Sequence, residues 1–321
     1  MIATVLLFLL GLALIIFAGD RFVDAAVRIA KASGISDIVI GATVVSLGTT
    51  LPEILVSTTA GLSGSADISV GNAFGSIICN TALIAGLVML VKPEKNADRS
   101  TIGWRTAYFF AAAALCFIFG RFVGYYHLLI GIILVCMFIA YAIISIVTSS
   151  KKGTALADGP EAEEKSETEA EAPKVSMPKN IIILVVCAAM LFAGARLLVS
   201  QGTLIALAIG VPERVVAVTF IALGTSLPEL VTAISSLIKG HANVSVGNIL
   251  GANLINFMLV IGIPSVLTTV TPSAAAIVVD LPIAVLAMAI LMLPLIIMKR
   301  GFRIQGAVLV AGYFVYCLTQ F

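Results

Sequence analysis

The chain has 321 residues, of which 60% are apolar and 11% charged, with a mean hydropathy of +1.14 and a formal net charge of +2. A soluble domain carries about 25% charged residues, so this composition excludes a water-soluble globular protein. No basic stripe interleaved with aromatics appears, which excludes nucleic acid as a partner.

A membrane-crossing helix needs about 20 apolar residues. The first run, Ile2 to Ala18, has no basic region ahead of it and continues into helical sequence, so it reads as a membrane helix and not as a signal peptide. Spans are expected at roughly 2–32, 37–62, 68–91, 104–120, 127–148, 179–207, 212–238, 243–268, 277–298 and 303–320. The fold class is therefore all-α integral membrane, with ten transmembrane helices. The five cysteines (Cys79, Cys116, Cys136, Cys187 and Cys317) lie in apolar runs without a CxxC pair and read as small buried hydrophobes. Between the fifth and sixth spans lies the one long polar segment, with Asp158, Glu161, Glu163, Glu164, Glu167, Glu169 and Glu171 beside four lysines. It has too little apolar surface to fold and reads as an acidic linker over 149–178.

The spans on either side of this linker share words. Gly48-Thr49-Thr50-Leu51-Pro52-Glu53 returns as Gly224-Thr225-Ser226-Leu227-Pro228-Glu229. Gly71-Asn72-Ala73-Phe74-Gly75 and Asn80 return as Gly247-Asn248-Ile249-Leu250-Gly251 and Asn256, all at an offset of 176 residues. Phe17-Ala18-Gly19-Asp20-Arg21 is echoed by Phe192-Ala193-Gly194-Ala195-Arg196 at 175. Residues 1–148 and 179–321 are thus two five-helix repeats, with their motifs at 41–80 and 217–256. An odd number of spans per repeat makes the second enter from the opposite side, an inverted-topology repeat of the kind secondary transporters use. With the N-terminus outside, only Arg121, Arg196 and Arg214 of the 19 basic residues fall outside. The C-terminus is then outside as well, and the linker is cytoplasmic.

Within the motifs, Gly48 and Pro52 punctuate a helix, and proline removes a backbone donor, so a break is expected there. A second break is expected at Gly71 to Gly75. Carbonyls freed at membrane depth are costly unless they line a cavity or meet an ion. Beside them stand Thr49, Thr50 and Glu53, then Ser76 and Asn80 on one helix face, and in the second copy Thr225, Ser226, Glu229 and Asn256. Apart from Cys79 these are oxygen donors, which disfavours zinc and copper and suits calcium, a taker of 6–8 hard oxygens. Two glutamates balance one Ca2+ or two Na+. Asp20, Asp24 and Arg28 have helical spacing and are expected to pair with one another as structural charges.

At GTTLPE (48–53), GNAFGSIICN (71–80), GTSLPE (224–229) and GNILGANLIN (247–256) the chain resembles the sodium/calcium exchanger family of the cation/calcium antiporter superfamily, of prokaryotic type. The resemblance implies a ten-helix fold whose second, third, seventh and eighth spans form a core against which the first and sixth slide. It implies ion ligands at Thr49, Glu53, Ser76, Asn80, Thr225 and Glu229, with Thr50 and Ser226 beside them, and at the backbone carbonyls of Ser46 and Ala222. Two departures stand out. Asn256 occupies a position where many members have aspartate, which implies potassium independence. Ala252 stands where many have serine, which implies weaker or different sodium coupling.

The expected function is Ca2+ for Na+ antiport by alternating access, in the inner (plasma) membrane, by a monomer whose partners are those ions and the lipid bilayer, with no cofactor. A proton-coupled divalent-cation antiporter is the alternative, and a cation channel a more distant one. An enzyme is not expected: no HExxH or GxSxG word occurs.

Overall fold

The structure, a computed structural model, describes residues 2–33, 37–95, 97–157, 176–209 and 222–319. Among these the chain is helical nearly throughout and forms no strand. Seven helices are long and apolar enough to cross a membrane, which makes this a multi-pass membrane protein. In chain order the helices are α1 (Ile2–Ala32), α2 (37–49), α3 (Leu51–Leu62), α4 (Ala66–Val91), α5 (Arg99–Val123) and α6 (Leu128–Ala157). They continue with α7 (Met177–Ala208), α8 (Ala222–Thr225), α9 (Leu227–Ile238), α10 (242–267), α11 (Ala276–Met298) and α12 (Arg303–Thr319).

Local chemistry sets several of these ends. Pro52 and Pro228 sit in the first turns of α3 and α9, where a missing N–H costs nothing. Gly64 (φ 76°) and Gly240 (φ 80°) take left-handed backbone just after the same two helices, a conformation glycine adopts without a Cβ clash. The Asp98 side chain caps α5 by accepting from the Ser100 and Thr101 amides. α6 outruns its expected end and stays helical to Ala157, so the first residues of the segment read as linker are helix. Nothing in the sequence of 149–157 forbids helix: it holds no proline and a single glycine, Gly153. The acidic residues 158–171 lie outside the described residues.

α4 and α10 are the centre of the molecule. Of their membrane-spanning windows 72% and 89% is buried, against less than 40% for each of the other five long helices. Lipid tails are as apolar as side chains, so helices in a bilayer associate through close packing and not through exclusion of water. Small residues provide that here. A Cβ on Gly306 would stand 2.5 Å from the Gly86 carbonyl oxygen, pressing α12 on α4. A Cβ on Gly131 would stand 2.9 Å from the Gly262 carbonyl, pressing α6 on α10. Phe257 of α10 meets Phe74 of α4 at 5.9 Å and Phe109 of α5 at 5.0 Å between ring centroids.

The buried apolar side chains form two clusters. The larger holds α4, α5, α6, α10 and α11. The smaller is made mainly by α1 and α7, with Ile40 and Val45 of α2 and Val244 of α10. α1 and α7 lie along one another, and a Cβ on Gly11 would come within 2.9 Å of the Gly194 carbonyl. Loops stitch the chain's halves together. Tyr126 and Val270 exchange two 2.8 Å backbone hydrogen bonds, while the Gly301 amide donates to Glu94 (2.7 Å) and the Ala97 amide to Lys299 (2.8 Å).

Candidate ion-binding site

The helix that carries the first motif is irregular twice. Residues Gly41–Val45 form a wide π turn, a device that throws carbonyls out of register. Four α-helical residues follow, Ser46–Thr49, and then Thr50 leaves helical geometry (φ −87°, ψ 0°) before α3 begins. Pro52 explains the second irregularity, since it offers no amide to the Gly48 carbonyl. Ser226 repeats the interruption between α8 and α9 (φ −89°, ψ 6°), with Pro228 two residues on.

These interruptions bring the two copies into contact. The Thr50 hydroxyl donates to Glu229 Oε1 at 3.0 Å, a bond between residues 179 positions apart. Thr49, Thr50, Ser226, Glu53 and Glu229 are all fully buried. Thr50 is the N-cap of the helix whose first turn holds Glu53, so this bond brings Glu229 to that turn. The acids that the sequence pairs are thus in one place and do not face lipid on separate surfaces.

The polar atoms around them are the unusual part. Both carboxylate oxygens of Glu53, Oε2 of Glu229, the hydroxyls of Ser76 and Ser226, and the entire amide groups of Asn80 and Asn256 are buried without a protein hydrogen-bond partner. Each such group costs about 1–3 kcal/mol, and a carboxylate more. The side chains of Asn80 and Asn256 make no hydrogen bond to another helix. Asn253 does, donating to Thr81 Oγ1 at 2.7 Å.

The expected break at Gly71–Gly75 is absent: an α-helix runs unbroken from Ala66 to Ile78, and its counterpart from Ala242 to Ile255. Glycine weakens a helix by about 1 kcal/mol but keeps its N–H, so alone it does not break one. The irregularity comes later, as π turns at Cys79–Ala85 and Asn256–Ile261. These contain Asn80 and Asn256.

The remaining expected ligands fall nearby. The Ser46 carbonyl accepts the Thr50 amide at 2.9 Å and the Thr49 hydroxyl at 3.3 Å. The Ser46 hydroxyl is turned to the Thr43 carbonyl (3.1 Å). Ala222 is the first described residue of α8, and its side chain lies outside the described residues. The Thr225 hydroxyl faces Asn72 Oδ1 at 3.4 Å, and Thr49 faces Asn248 Oδ1 at the same distance.

Asn72 and Asn248 belong to the repeated words and are not among the expected ligands, yet they join the two copies. Asn72 Nδ2 donates to the Glu53 carbonyl (3.1 Å) and to Ser57 (2.9 Å), while its oxygen meets Thr225 of the other copy. Asn248 Nδ2 donates to Thr232 (3.0 Å), which bonds the Glu229 carbonyl (3.1 Å), while its oxygen meets Thr49. Each amide ties its own copy's acidic helix to the other copy's threonine. The available signal was their place next to the first glycine of each GN word.

Access differs between the two flanks. A cavity of about 600 Å³ opens between α3 and α7, lined by Pro52, Leu55, Thr59, Ser63, Ala195, Arg196 and Ser200, and reaches Gly224 and Thr225. On the other flank α1 packs on α9. Val231 occupies the space a Cβ on Gly19 would need, and the Phe22 ring stands 2.8 Å from where a Cβ on Gly48 would be. Asp20 and Asp24 do not pair with Arg28 as expected; both meet Lys239 at 2.6 Å. Lys239 lies 215 residues from Asp24, beyond any helical spacing rule.

A helical membrane core with paired carboxylates, bare oxygens and access from one flank defines a cation carrier. The match to known proteins is in line with this. The family model described as "Sodium/calcium exchanger protein" matches residues 3–147 and 179–321, and the chain belongs to that family of antiporters. Among curated relatives, the putative antiporter CaxA of Alkalimonas amylolytica is 31% identical over 320 residues, covering 98% of each chain. The sodium/calcium exchanger MaX1 of Methanosarcina acetivorans is 27% identical, again over 98% of each. Among solved structures, the sodium-calcium exchanger NCX_Mj soaked with zero Na+ and Ca2+ superposes with a TM-score of 0.82 at 27% identity, covering 100% of this chain and 99% of that one. NCX_Mj soaked with 2.5 mM Na+ and 10 mM Sr2+ gives 0.81 at 28%, covering 98% and 97%.

Proposed function

We propose that the protein exchanges Ca2+ for Na+ across the membrane by alternating access, at a site shared by Glu53 and Glu229. The observation that carries this reading is the junction of the two copies, where the Thr50 hydroxyl bonds Glu229 amid buried oxygens that have no other partner. Glu53, Glu229, Thr49, Thr50, Ser76, Asn80, Thr225, Ser226 and Asn256 are the ligand set, with the Ser46 and Ala222 carbonyls at its edge. Two close carboxylates repel when bare and resist enclosure in a poor dielectric. Neutralised by one Ca2+ or by two Na+, they can be enclosed and presented to the other side. Ca2+ and Na+ then take turns without covalent chemistry or a cofactor. Any net charge moved is biased by about 2.3 kcal/mol per 100 mV of membrane potential.

The architecture behind this reading is ten spans in two inverted five-helix repeats, 1–148 and 179–321, joined by the cytoplasmic linker 149–178. α2 with α3 makes one span, and α8 with α9 belongs to another. Paired features support the duplication: α3 and α9 share bounds shifted by 176 residues, and the Gly86–Gly306 contact is matched by Gly262–Gly131. α1 and α7, with an apolar cluster of their own, are the elements that slide. With both termini outside, in the inner (plasma) membrane, the cavity beside Ser63 opens outward and the flank beside Lys239 is the closed inner one. The monomer carries both halves of the site.

The test is Ca2+ uptake into proteoliposomes driven in turn by Na+, K+ and H+ gradients. Uptake that follows Na+ and ignores K+ supports the reading; uptake indifferent to Na+ overturns it. A proton-coupled exchanger is the second reading. It is favoured by Asn256 and Ala252, which offer an amide and a methyl where many relatives have a carboxylate and a hydroxyl.

A further inference from the structure

The closed flank carries a charge cluster for which the open flank has no counterpart among the described residues. Lys239 caps the C-terminus of α9 and its side chain is 22% exposed. Its ammonium meets Asp20 Oδ1 and Asp24 Oδ1, each at 2.6 Å, and donates to the Asp20 carbonyl at 2.7 Å. Asp20 and Asp24 are one turn apart on α1, so they present a single acidic face. All three donors of one ammonium thus span from α9 to α1, directly beyond the Gly19–Val231 contact.

The equivalent positions on the other flank follow from the offsets of the two copies. Lys239 corresponds to Ser63, Asp20 to Ala195 and Asp24 to Val199. Ser63 and Ala195 both line the 600 Å³ cavity. At the two compared positions that line the cavity, Ser63 and Ala195, the open flank carries uncharged residues where the shut flank has Lys239 and Asp20, although Arg196 also borders the cavity.

We propose that Lys239, Asp20 and Asp24 form a one-sided electrostatic latch, which holds α1 against α9 and so biases the protein toward the state open beside Ser63. The latch rests on the alternating-access reading above, but not on which ions are carried. A single exposed ion pair shifts an equilibrium by at most about 5-fold. Three contacts on one half-buried ammonium place this latch at about 3–10-fold.

The test uses the full-length protein in liposomes without transported ions. Two cysteine probes, Ser235→Cys on α9 and Thr59→Cys in the cavity, are labelled with a maleimide. The labelling is read peptide by peptide by mass spectrometry, so the native cysteines do not interfere. With Lys239→Gln, or separately Asp24→Asn, labelling at position 235 rises about 3–10-fold and labelling at 59 falls by a smaller factor. The exchange Lys239→Asp with Asp24→Lys restores slow labelling at 235. A mirror latch, Ser63→Lys with Ala195→Asp, slows labelling at 59. Labelling that rises at both positions marks loosened packing and overturns the latch, as does labelling that changes at neither. Either result leaves the transport reading standing, because flux is measured separately. Absent ion exchange in the unaltered protein overturns that reading and leaves the labelling result intact.

Discussion

The α3 and α9 helices start from nearly the same sequence and end in different surroundings. Both open on a Leu-Pro-Glu step after an interrupted turn, and both end before a left-handed glycine. Yet α3 borders open space shared with α7, while α9 is covered by α1. The difference does not reside in the motifs. It resides in what the long flanking helices bring to each, and a carrier with two such sides can use one site for both.

Removing either acid breaks the comparison most directly. Glu53→Gln and Glu229→Gln are each expected to cut Ca2+ flux by at least about 100-fold, above the 10–100-fold that outer partners of a metal ligand usually cost. Because the two acids share one site, the losses should be similar; a large inequality in liposome uptake would mean that the copies do not contribute alike. Next come the amides that tie the copies together. Asn72→Leu and Asn248→Leu are expected to weaken apparent Ca2+ affinity by about 10-fold while leaving the protein folded, as read from flux against Ca2+ concentration.

Gly75 and Gly251 sharpen the contrast further. A Cβ on Gly251 would stand 2.6 Å from the Ala42 Cα and carbonyl oxygen, whereas one on Gly75 meets nothing within 4 Å. Gly251→Ala should destabilise by about 1–3 kcal/mol through overpacking. Gly75→Ala should be neutral or stabilise by up to about 1 kcal/mol through helix propensity. Thermal unfolding in detergent checks both, and equal shifts would refute the asymmetry. A smaller loss than that at Gly251 belongs to Tyr141, whose buried hydroxyl donates to the Ala42 carbonyl at 2.7 Å, within the π turn of α2. Tyr141→Phe should cost about 0.5–1.5 kcal/mol by the same measurement.

Much of the site was legible because polar residues are expensive in apolar sequence, so Glu53, Glu229, Asn80 and Asn256 announce themselves. Pro52 and Pro228 marked the interruptions for the same chemical reason they cause them. The π turns left no such mark: an extra residue in a turn changes hydrogen-bond register and not composition. The predicted break at Gly71–Gly75 failed because glycine was given the weight of proline. Arg28 was chosen as the partner of Asp20 and Asp24 because spacing reports neighbours along one helix. Lys239 arrives from another helix, and only tertiary packing brings it there. Asn72 and Asn248 were visible as letters, but their role depends on reaching across to the other copy.

The backbone hydrogen bonds that Tyr126 and Val270 exchange, and the one that Gly301 donates to Glu94, have a consequence for measurement. They clamp the outer scaffold at loops drawn from both halves, giving the molecule fixed reference points. Spectroscopic rulers anchored at those loops should read a constant length through a transport cycle, so displacement of any other helix can be surveyed against them.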